Sequence, residues 1–221
     1  TTMKSMKIGV IVAMDKEYAQ LKEVAATIQK HEIVLAKCGI GKVNAALGAQ
    51  QMINEHHPDV IISTGCAGGN GNDINVQDVV VSTELTYHDV YCGTAIDDCT
   101  VYGQVQGLPA RYQADAYMLE VAKNIQSGVG LYPGLIVTGD WFVDSKEKMR
   151  SIIGKFPEAK AVDMESCAIA QTCHINKVPF ISFRIISDIP LCDTDASQYH
   201  DFWNTIADRS FQVTKTFIEK L

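Results

Sequence analysis

Short apolar runs rich in β-branched residues recur along this chain, and segments with helical periodicity separate them. The runs at 8–13, 60–63, 135–138 and 178–188 have the length of strands, and several of them are apolar throughout. Strands that are apolar on both faces are typical of parallel sheets covered by helices on each side. The alternation of strands and helices therefore predicts an α/β protein with a mostly parallel central sheet.

The length and the charge of the chain limit the classes of protein to which it can belong. At 221 residues it is long enough for one domain with a full core, which we expect to span residues 6–221. Residues 1–5 are expected to be a leader or an expression remnant. The net charge of -7 argues against a nucleic-acid partner or an anionic membrane surface, and no apolar run approaches the length of a membrane span.

The cysteines indicate the compartment in which the protein folds. The seven cysteines are an odd number, they contain no Cys-x-x-Cys pair, and several of them lie in apolar runs. Cysteine in such runs usually behaves as a small buried hydrophobic residue. The pattern is typical of a reducing compartment and argues against a disulfide framework or a zinc site, so we expect a cytoplasmic protein.

Two of the predicted helices have apolar residues at helical spacing, which predicts the face that each one buries. The first helix runs from Lys42 to about His56. Its expected buried residues are Val43, Ala46, Leu47 and Ile53. The second helix begins at about Tyr199 and closes the chain. Its expected buried residues are Phe202, Ile206, Val213 and Phe217.

Two segments lack a clear periodicity. The glycine-rich sequence at 64–69 predicts a tight turn after the strand at 60–63, but it matches neither the dinucleotide fingerprint nor a P-loop. The stretch at 87–110 is rich in Gly, Asp and Tyr and is predicted to be irregular. An active-site lid, a subunit contact and an ordinary surface loop are all consistent with it.

Charged residues follow several of the predicted strands. Glu17 comes shortly after the first strand, Glu165 follows a brief strand at 161–162, and the run at 178–188 contains Arg184 and ends on Asp188. Each carboxylate alone is equally consistent with a helix cap or first-turn charge. Ligands bind at the carboxyl ends of parallel strands, so the convergence of these groups predicts a site at that edge. A buried arginine is costly unless it is paired, so Arg184 should have a carboxylate partner.

Six segments in order carry a resemblance to a known family. They are IGVIVAMDKE (8–17), CGIGKVNAALG (38–48), PDVIISTGCAGG (58–69), GLIVTGDWFV (134–143), AVDMESCAIA (161–170) and VPFISFRIISD (178–188). From Met6 to its end the chain resembles the 5′-methylthioadenosine/S-adenosylhomocysteine nucleosidases of the nucleoside phosphorylase superfamily. The resemblance implies a three-layer α/β/α fold around a mixed, mostly parallel sheet, and usually a homodimer. It also implies hydrolysis of an adenine nucleoside at its N-glycosidic bond.

The resemblance further implies roles for individual residues. Glu17 corresponds to the general base for water, Asp188 to the acid that protonates purine N7, and Glu165 to the carboxylate that holds the ribose hydroxyls. Arg184 is expected to orient the water or to keep Glu17 ionised. Phe142 would stack on adenine while the Val143 backbone contacts its edge. The other expected substrate-binding residues are Met14, Ile40, Cys66, Ala67, Gly68, Met164, Ser187 and Tyr199.

The chemistry of the reaction agrees with these roles. Breaking the bond leaves a purine anion and a cationic sugar, so protonation of the base and a carboxylate near the sugar both help. An acid, a base and water suffice, so we expect no metal and no organic cofactor. Asp188 can also accept a hydrogen bond from an adenine amino group, whereas the 6-oxopurine enzymes of the superfamily tend to carry Asn there. Glu17 places negative charge where a phosphorylase would not want it.

Alternatives remain open at this point. A related purine nucleoside hydrolase or phosphorylase, of the aminodeoxyfutalosine or adenosine type, is consistent with the same residues. So is a non-catalytic nucleoside-binding or storage protein, although such a protein would be expected to lose a carboxylate. The sequence departs from the family pattern at Cys66, where serine is more usual, and at Asp163, where glutamate is common. The segment at 17–39 is short, and the loop at 87–110 is unusual, so the preferred 5′-substituent stays open.

Overall fold

The computed structural model describes residues 4–93, 100–192, 196–205 and 207–221. The strands are β1 (Lys7–Val12), β2 (Glu32–Lys37), β3 (Val60–Gly69), β4 (Val79–Tyr87), β5 (Tyr112–Gln113), β6 (Leu131–Thr138), β7 (Ala159–Asp163) and β8 (Phe180–Asp188). The helices are α1 (Asp15–Ala26), α2 (Lys42–His56), α3 (Ala116–Lys123), α4 (Lys146–Lys155), α5 (Ser166–Asn176), α6 (Ser197–Thr205), α7 (Ala207–Ser210) and α8 (Gln212–Lys220). None of the helices within these ranges is long and apolar enough to cross a membrane.

The strands form one mixed sheet in which parallel pairs predominate. Parallel pairs join β1 to β2 and β3, β3 to β8, β4 to β6, and β6 to β7. Antiparallel pairs join β4 to β5 and to β8, and the last two residues of β3 to β7. The order β3–β8–β4–β6–β7 therefore returns to β3 and closes part of the sheet into a ring. The predicted α/β fold with a mixed, mostly parallel sheet is confirmed.

Helices cover the sheet on both sides, so the three-layer arrangement is confirmed as well. One core contains residues of α1, α3, α6 and α8, and a second contains residues of α2 and α5. In the first core the rings of Phe183 and Phe217 are stacked with their centroids 4.7 Å apart. Burying a side chain of this size contributes about 1.5–3 kcal/mol, so the contact anchors the C-terminal helix to the centre of the sheet.

The predicted buried face of α2 is wrong. The fully buried residues are Ala45, Ala49 and Met52, whereas Val43 is 71% exposed and Leu47 is 66% exposed. The other two expected residues of that face, Ala46 and Ile53, are only half-buried. Apolar residues lie on two sides of this helix, and periodicity cannot tell which side meets the sheet. The small alanines let the helix approach its neighbours closely, so they form the packed side.

Two further predictions about local structure change. The sequence at 64–69 is not a turn, because β3 continues through Gly69 and keeps its pairing with β8 as far as Gly68. The single predicted final helix is divided into α6, α7 and α8. Its predicted core residues Phe202, Val213 and Phe217 are buried, while Ile206 lies outside the described residues. After β4 ends, the described part of 87–110 contains no helix or strand, as predicted.

Candidate active site

One pocket collects the strand-end residues of the sequence analysis. It lies where β1, β3, β7 and β8 end and where the segment after β6 crosses the sheet edge. Its lining is Ala13, Met14, Glu17, Ile40, Cys66, Ala67, Gly68, Trp141, Phe142, Val143, Val162, Asp163, Met164, Glu165, Ser187, Asp188 and Tyr199. Every predicted site residue is among them except Arg184, which lies buried behind the carboxylates.

Glu17 is both a helix cap and a pocket residue. It occupies the third position of α1, and its Oε1 accepts hydrogen bonds from the backbone N–H groups of Ala13 (3.1 Å) and Met14 (3.0 Å). Its Oε2 accepts a third bond from the Cys66 N–H at 2.8 Å. Burial raises the pKa of this carboxyl, while the positive charge of Arg184 and the three backbone donors oppose the rise. The two interpretations of Glu17 are therefore compatible.

Glu165 precedes α5 but does not cap it with its side chain. Instead its Oε2 accepts a hydrogen bond from the Gly41 N–H, 3.1 Å away at the start of α2. Its Oε1 lies 3.6 Å from Arg184 Nη1. Burial raises the pKa of Glu165 to about 8, against the opposing charge of Arg184. A second helix and a buried arginine thus hold this carboxylate in the pocket.

Arg184 has the carboxylate partners that the sequence predicts. Its Nε lies 3.2 Å from Asp163 Oδ2, and its second ion pair is the one with Glu165. Its remaining donors go to the Ser63 hydroxyl (2.5 Å) and the Cys66 carbonyl (3.2 Å). Among the described residues, no direct ion pair joins Arg184 to Glu17. The positive charge of Arg184 nevertheless acts on the Glu17 carboxylate at longer range and lowers its pKa.

Asp188 is the last residue of β8 and lines the same pocket as Glu165. The Ser187 hydroxyl donates to Asp188 Oδ1 at 2.7 Å and lies 3.5 Å from the Ala67 carbonyl. The Asp188 side chain is buried but lines the pocket. Ser187 therefore orients the carboxyl group against the floor that β3 provides.

Aromatic side chains form one wall of the pocket. The rings of Phe142 and Tyr199 meet edge to face with centroids 5.3 Å apart, and the Tyr199 hydroxyl lies 3.5 Å from Met14 Sδ. Phe142 is 46% exposed although it lines the pocket, so part of its ring is available to a ligand. The exposed Phe142 ring offers an apolar face on which a planar ring can stack.

The pocket also contains residues that the sequence analysis did not select. These are Ala13, Trp141, Val162 and Asp163. Trp141 stands beside Phe142 and would ordinarily be assigned to a core. The sequence singles out Asp163 only because glutamate is common there in the family. In the structure it accepts a hydrogen bond from the Thr138 hydroxyl at 2.6 Å and pairs with Arg184. The need of Arg184 for a carboxylate was the signal that could have identified it.

Cys66 contributes a thiol to the pocket floor. Burial and the negative charge of Glu17 raise the pKa of this thiol well above its usual value. It therefore remains a neutral, weakly polar group beside the carboxylates. Within the described ranges, no three His, Cys, Asp or Glu side chains are grouped so as to hold a metal ion.

The fold and the pocket together define a class of protein. Residues 7–219 match the family model of the phosphorylase superfamily, so the chain has the fold of that superfamily over nearly its whole length. A 5′-methylthioadenosine/S-adenosylhomocysteine nucleosidase of an Exiguobacterium species is 38% identical to it over 98% of this chain and 99% of the relative. The chain belongs to the 5′-methylthioadenosine/S-adenosylhomocysteine nucleosidase family.

Solved structures of the family agree with this assignment. The nucleosidase of Neisseria meningitidis, solved in complex with methylthio-immucillin-A, has a TM-score of 0.88 at 38% identity, covering 97% of this chain and 99% of that one. The nucleosidase of Colwellia psychrerythraea, solved in complex with adenine, has a TM-score of 0.88 at 32% identity, covering 100% of this chain and 98% of that one.

Proposed function

We propose that this protein hydrolyses the N-glycosidic bond of 5′-methylthioadenosine, S-adenosylhomocysteine or both, releasing adenine and the corresponding 5′-thioribose. The observation that carries the proposal is the arrangement of Glu17, Glu165 and Asp188 around one pocket with an aromatic wall. The names of the relatives agree with this substrate class.

Asp188 acts as the acid and Glu17 as the base. The bond between C1′ and N9 breaks with its electron pair moving to the purine, and the proton of Asp188 passes to N7. Water attacks C1′ and gives its proton to Glu17. Protonation of this kind contributes about 10²–10⁴-fold to a rate. The raised pKa of Glu17 makes it a better proton acceptor than an ordinary carboxylate.

Glu165 binds the sugar while positive charge develops on it. In its ionised form the carboxylate accepts hydrogen bonds from the ribose hydroxyls, and Met164 lies next to it on the pocket wall. Arg184 acts on the site from behind by holding Glu165 and Asp163 in place. Its ion pairs support a positioning role more strongly than direct contact with the attacking water.

Phe142 and Val143 receive the adenine ring. The exposed face of Phe142 stacks on the base, and the Val143 backbone contacts its edge. Met14, Ile40 and Tyr199 line the side of the sugar and the 5′-thio group, while Cys66, Ala67 and Gly68 form the floor. Ser187 holds the acid in place.

Hydrolysis is favoured over phosphorolysis by the charge of the lining. Of the described residues that line the pocket, none is a lysine or an arginine, whereas four are acidic: Glu17, Asp163, Glu165 and Asp188. Phosphate binding relies on cationic side chains or helix N-termini. Two amides at the N-terminus of α2 are already engaged, since Gly41 donates to Glu165 and Lys42 donates to Asp140. Phosphate would therefore meet repulsion where water does not.

The test is release of adenine from methylthioadenosine in phosphate-free buffer. We expect turnover without phosphate and no increase when phosphate is added. No adenine, or adenine only with phosphate, would overturn the proposal. A panel containing S-adenosylhomocysteine, adenosine and 6-amino-6-deoxyfutalosine distinguishes the related hydrolases. Tight nucleoside binding without turnover would favour a binding or storage protein.

Asp188→Asn tests the acid. We expect the rate of adenine release to fall by about 10²–10⁴-fold, while calorimetry still detects binding of methylthioadenosine. Asp144→Asn, an exposed aspartate outside the pocket, is the matched control and should turn over normally. Wild-type turnover in the Asp188 variant would contradict its assignment.

The protein also has features of a homodimer, which we propose as its assembled state. Val43 and Leu47 lie one turn apart on α2 and are largely exposed, and Ile40, at the mouth of the pocket, is 51% exposed. Tyr91 and Val101, in the described part of the irregular loop, are exposed as well. Large exposed apolar side chains of this kind mark interfaces. A second copy covering them would complete the 5′-substituent side of the pocket.

We propose that residues 6–221 act as one domain and that the protein works in the cytoplasm. The six cysteines of the described residues are free thiols, which suits a reducing compartment.

A further inference from the structure

Three residues outside the pocket form a closed cycle of hydrogen bonds through their side chains and two backbone amides. Asp89 Oδ1 accepts from Lys42 Nζ at 2.8 Å, and its Oδ2 accepts from the Asp140 backbone N–H at 2.8 Å. Asp140 Oδ1 in turn accepts from the Lys42 backbone N–H at 2.8 Å. None of the three lines the pocket. They come from the loop after β4, the start of α2 and the segment after β6.

The cycle connects two different parts of the proposed substrate site. Asp140 directly precedes Trp141 and Phe142, so it sets the position of the aromatic wall. Lys42 directly follows Gly41, whose N–H holds Glu165. At the start of α2, the Lys42 amide thus donates to a carboxylate on the adenine side, and the amide of the capping residue Gly41 donates to one on the ribose side. Asp89 closes the connection by binding both Lys42 and Asp140.

His88 packs against the segment at 139–143. The His88 N–H donates to the Thr138 carbonyl at 2.9 Å, and the ring meets Trp141 edge to face at 5.2 Å. A Cβ at position 139 would collide with the His88 ring, so glycine is required at this close approach. The residues before Phe142 therefore pack on the His88 ring and are hydrogen-bonded to Asp89.

The ion pair in the cycle differs from an ordinary surface pair. The side chains of Lys42 and Asp89 are 22% and 13% exposed, and Lys42 Nζ lies 5.1 Å from the centre of the Tyr87 ring. Partial burial reduces the screening of the charges by water and salt. Hydrogen bonds to ionised groups are also roughly twice as strong as those between neutral groups.

We infer that Asp89, Lys42 and Asp140 are positioning residues that hold the adenine-binding segment at 139–143 against the N-terminus of α2. The segment carrying Phe142 and the amide that holds Glu165 then move together, so adenine binding and ribose binding depend on one another. This inference rests on the proposed function. It adds three residues that touch no substrate but decide how well the substrate is held.

Asp89→Asn and Lys42→Met test the inference directly. Each removes charge from the cycle with little change in shape. We expect each to raise the KM for methylthioadenosine and the Kd for free adenine by roughly tenfold, with a smaller change in kcat. Lys42→Arg keeps the charge and should restore most of the affinity. Lys160→Met, which breaks the Lys160–Asp73 pair away from the pocket, is the matched control and should change neither constant.

A double-mutant cycle separates positioning from general destabilisation. If Asp89 acts through Phe142, Asp89→Asn should cost little further adenine affinity once Phe142→Ala has removed the stacking ring. Independent effects would simply add, and that result would overturn the inference. Should Asp89→Asn fail to fold, Lys42→Met is carried through the same cycle.

The proposed function and the inference fail in different ways. If the wild type neither releases nor binds adenine, both are wrong. If the wild type releases adenine while Asp89→Asn and Lys42→Met keep the wild-type KM and adenine Kd, the inference is wrong and the proposed function stands.

Discussion

Arg184 Nε lies 3.2 Å from Asp163 Oδ2, and each of these side chains is 1% exposed. Breaking a buried ion pair by removing one partner costs about 3–5 kcal/mol, because the other charge is left without compensation. Asp163→Ala should therefore lower the free energy of unfolding by an amount of that order, reduced by the remaining pair with Glu165. Urea denaturation with Asp144→Asn as an exposed control measures the difference, and equal midpoints for the two variants would contradict it.

Gly65→Ala should lower the rate of adenine release because it displaces the Glu17 carboxylate. Gly65 has a φ of +131°, and a Cβ there would collide with the Glu17 carboxylate. The carboxylate must then leave its three backbone donors, so we expect a loss of adenine release approaching the ~10²–10⁴-fold attributed to acid–base catalysis. Gly154→Ala is the control, since nothing lies within 4 Å of the added methyl group and alanine favours a helix. Normal turnover of the Gly65 variant would show that Glu17 does not act as the base.

The pH profile should report the buried carboxylates. Burial raises the pKa of Glu165 to about 8 and also raises the pKa of Glu17. In the proposed mechanism both act in the ionised form while Asp188 acts in the protonated form. The kcat/KM of the free enzyme should therefore rise with pH through about 8 and fall where Asp188 loses its proton. In Glu165→Gln the rise near this pH should disappear, although overall activity falls. A flat wild-type profile through neutral pH would contradict the assignment of both groups.

The raised pKa of Glu165 also makes the free energy of unfolding depend on pH. Between the ordinary pKa of 4.5 and the raised value of about 8, the folded protein binds more protons at Glu165 than the unfolded chain does. The stability that this group contributes is thus present below 4.5 and lost as the pH rises through about 8. Thermal melts of the wild type and Glu165→Gln across this range should diverge in favour of the variant at the alkaline end.

Leu47→Asp should separate the proposed dimer. Leu47 is 66% exposed on α2, so a charge there is harmless to the protomer but opposes burial against a second copy. Sedimentation should show the wild type at twice the mass of the variant. Tyr117→Glu places a charge on α3, in the opposite helix layer, and should leave the mass unchanged. A monomeric wild type would rule out the proposed assembly.

The sequence by itself determined the fold class and nearly all of the pocket. Strands buried on both faces are apolar throughout, so the local composition of the chain is enough to predict where they lie. Residues that follow such strands meet at one edge whatever the details of packing. This is why Glu17, Glu165 and Asp188, far apart in the chain, could be grouped before their contacts were known.

Only the tertiary structure decided which groups contact one another. The two apolar sides of α2 are indistinguishable by periodicity, and the packing of Ala45 and Ala49 selects one of them. The pairing of Arg184 with Asp163 and the cycle through Asp89 join residues from separate elements. Such contacts depend on the angles and separations of whole strands and helices, which no local pattern of residues encodes.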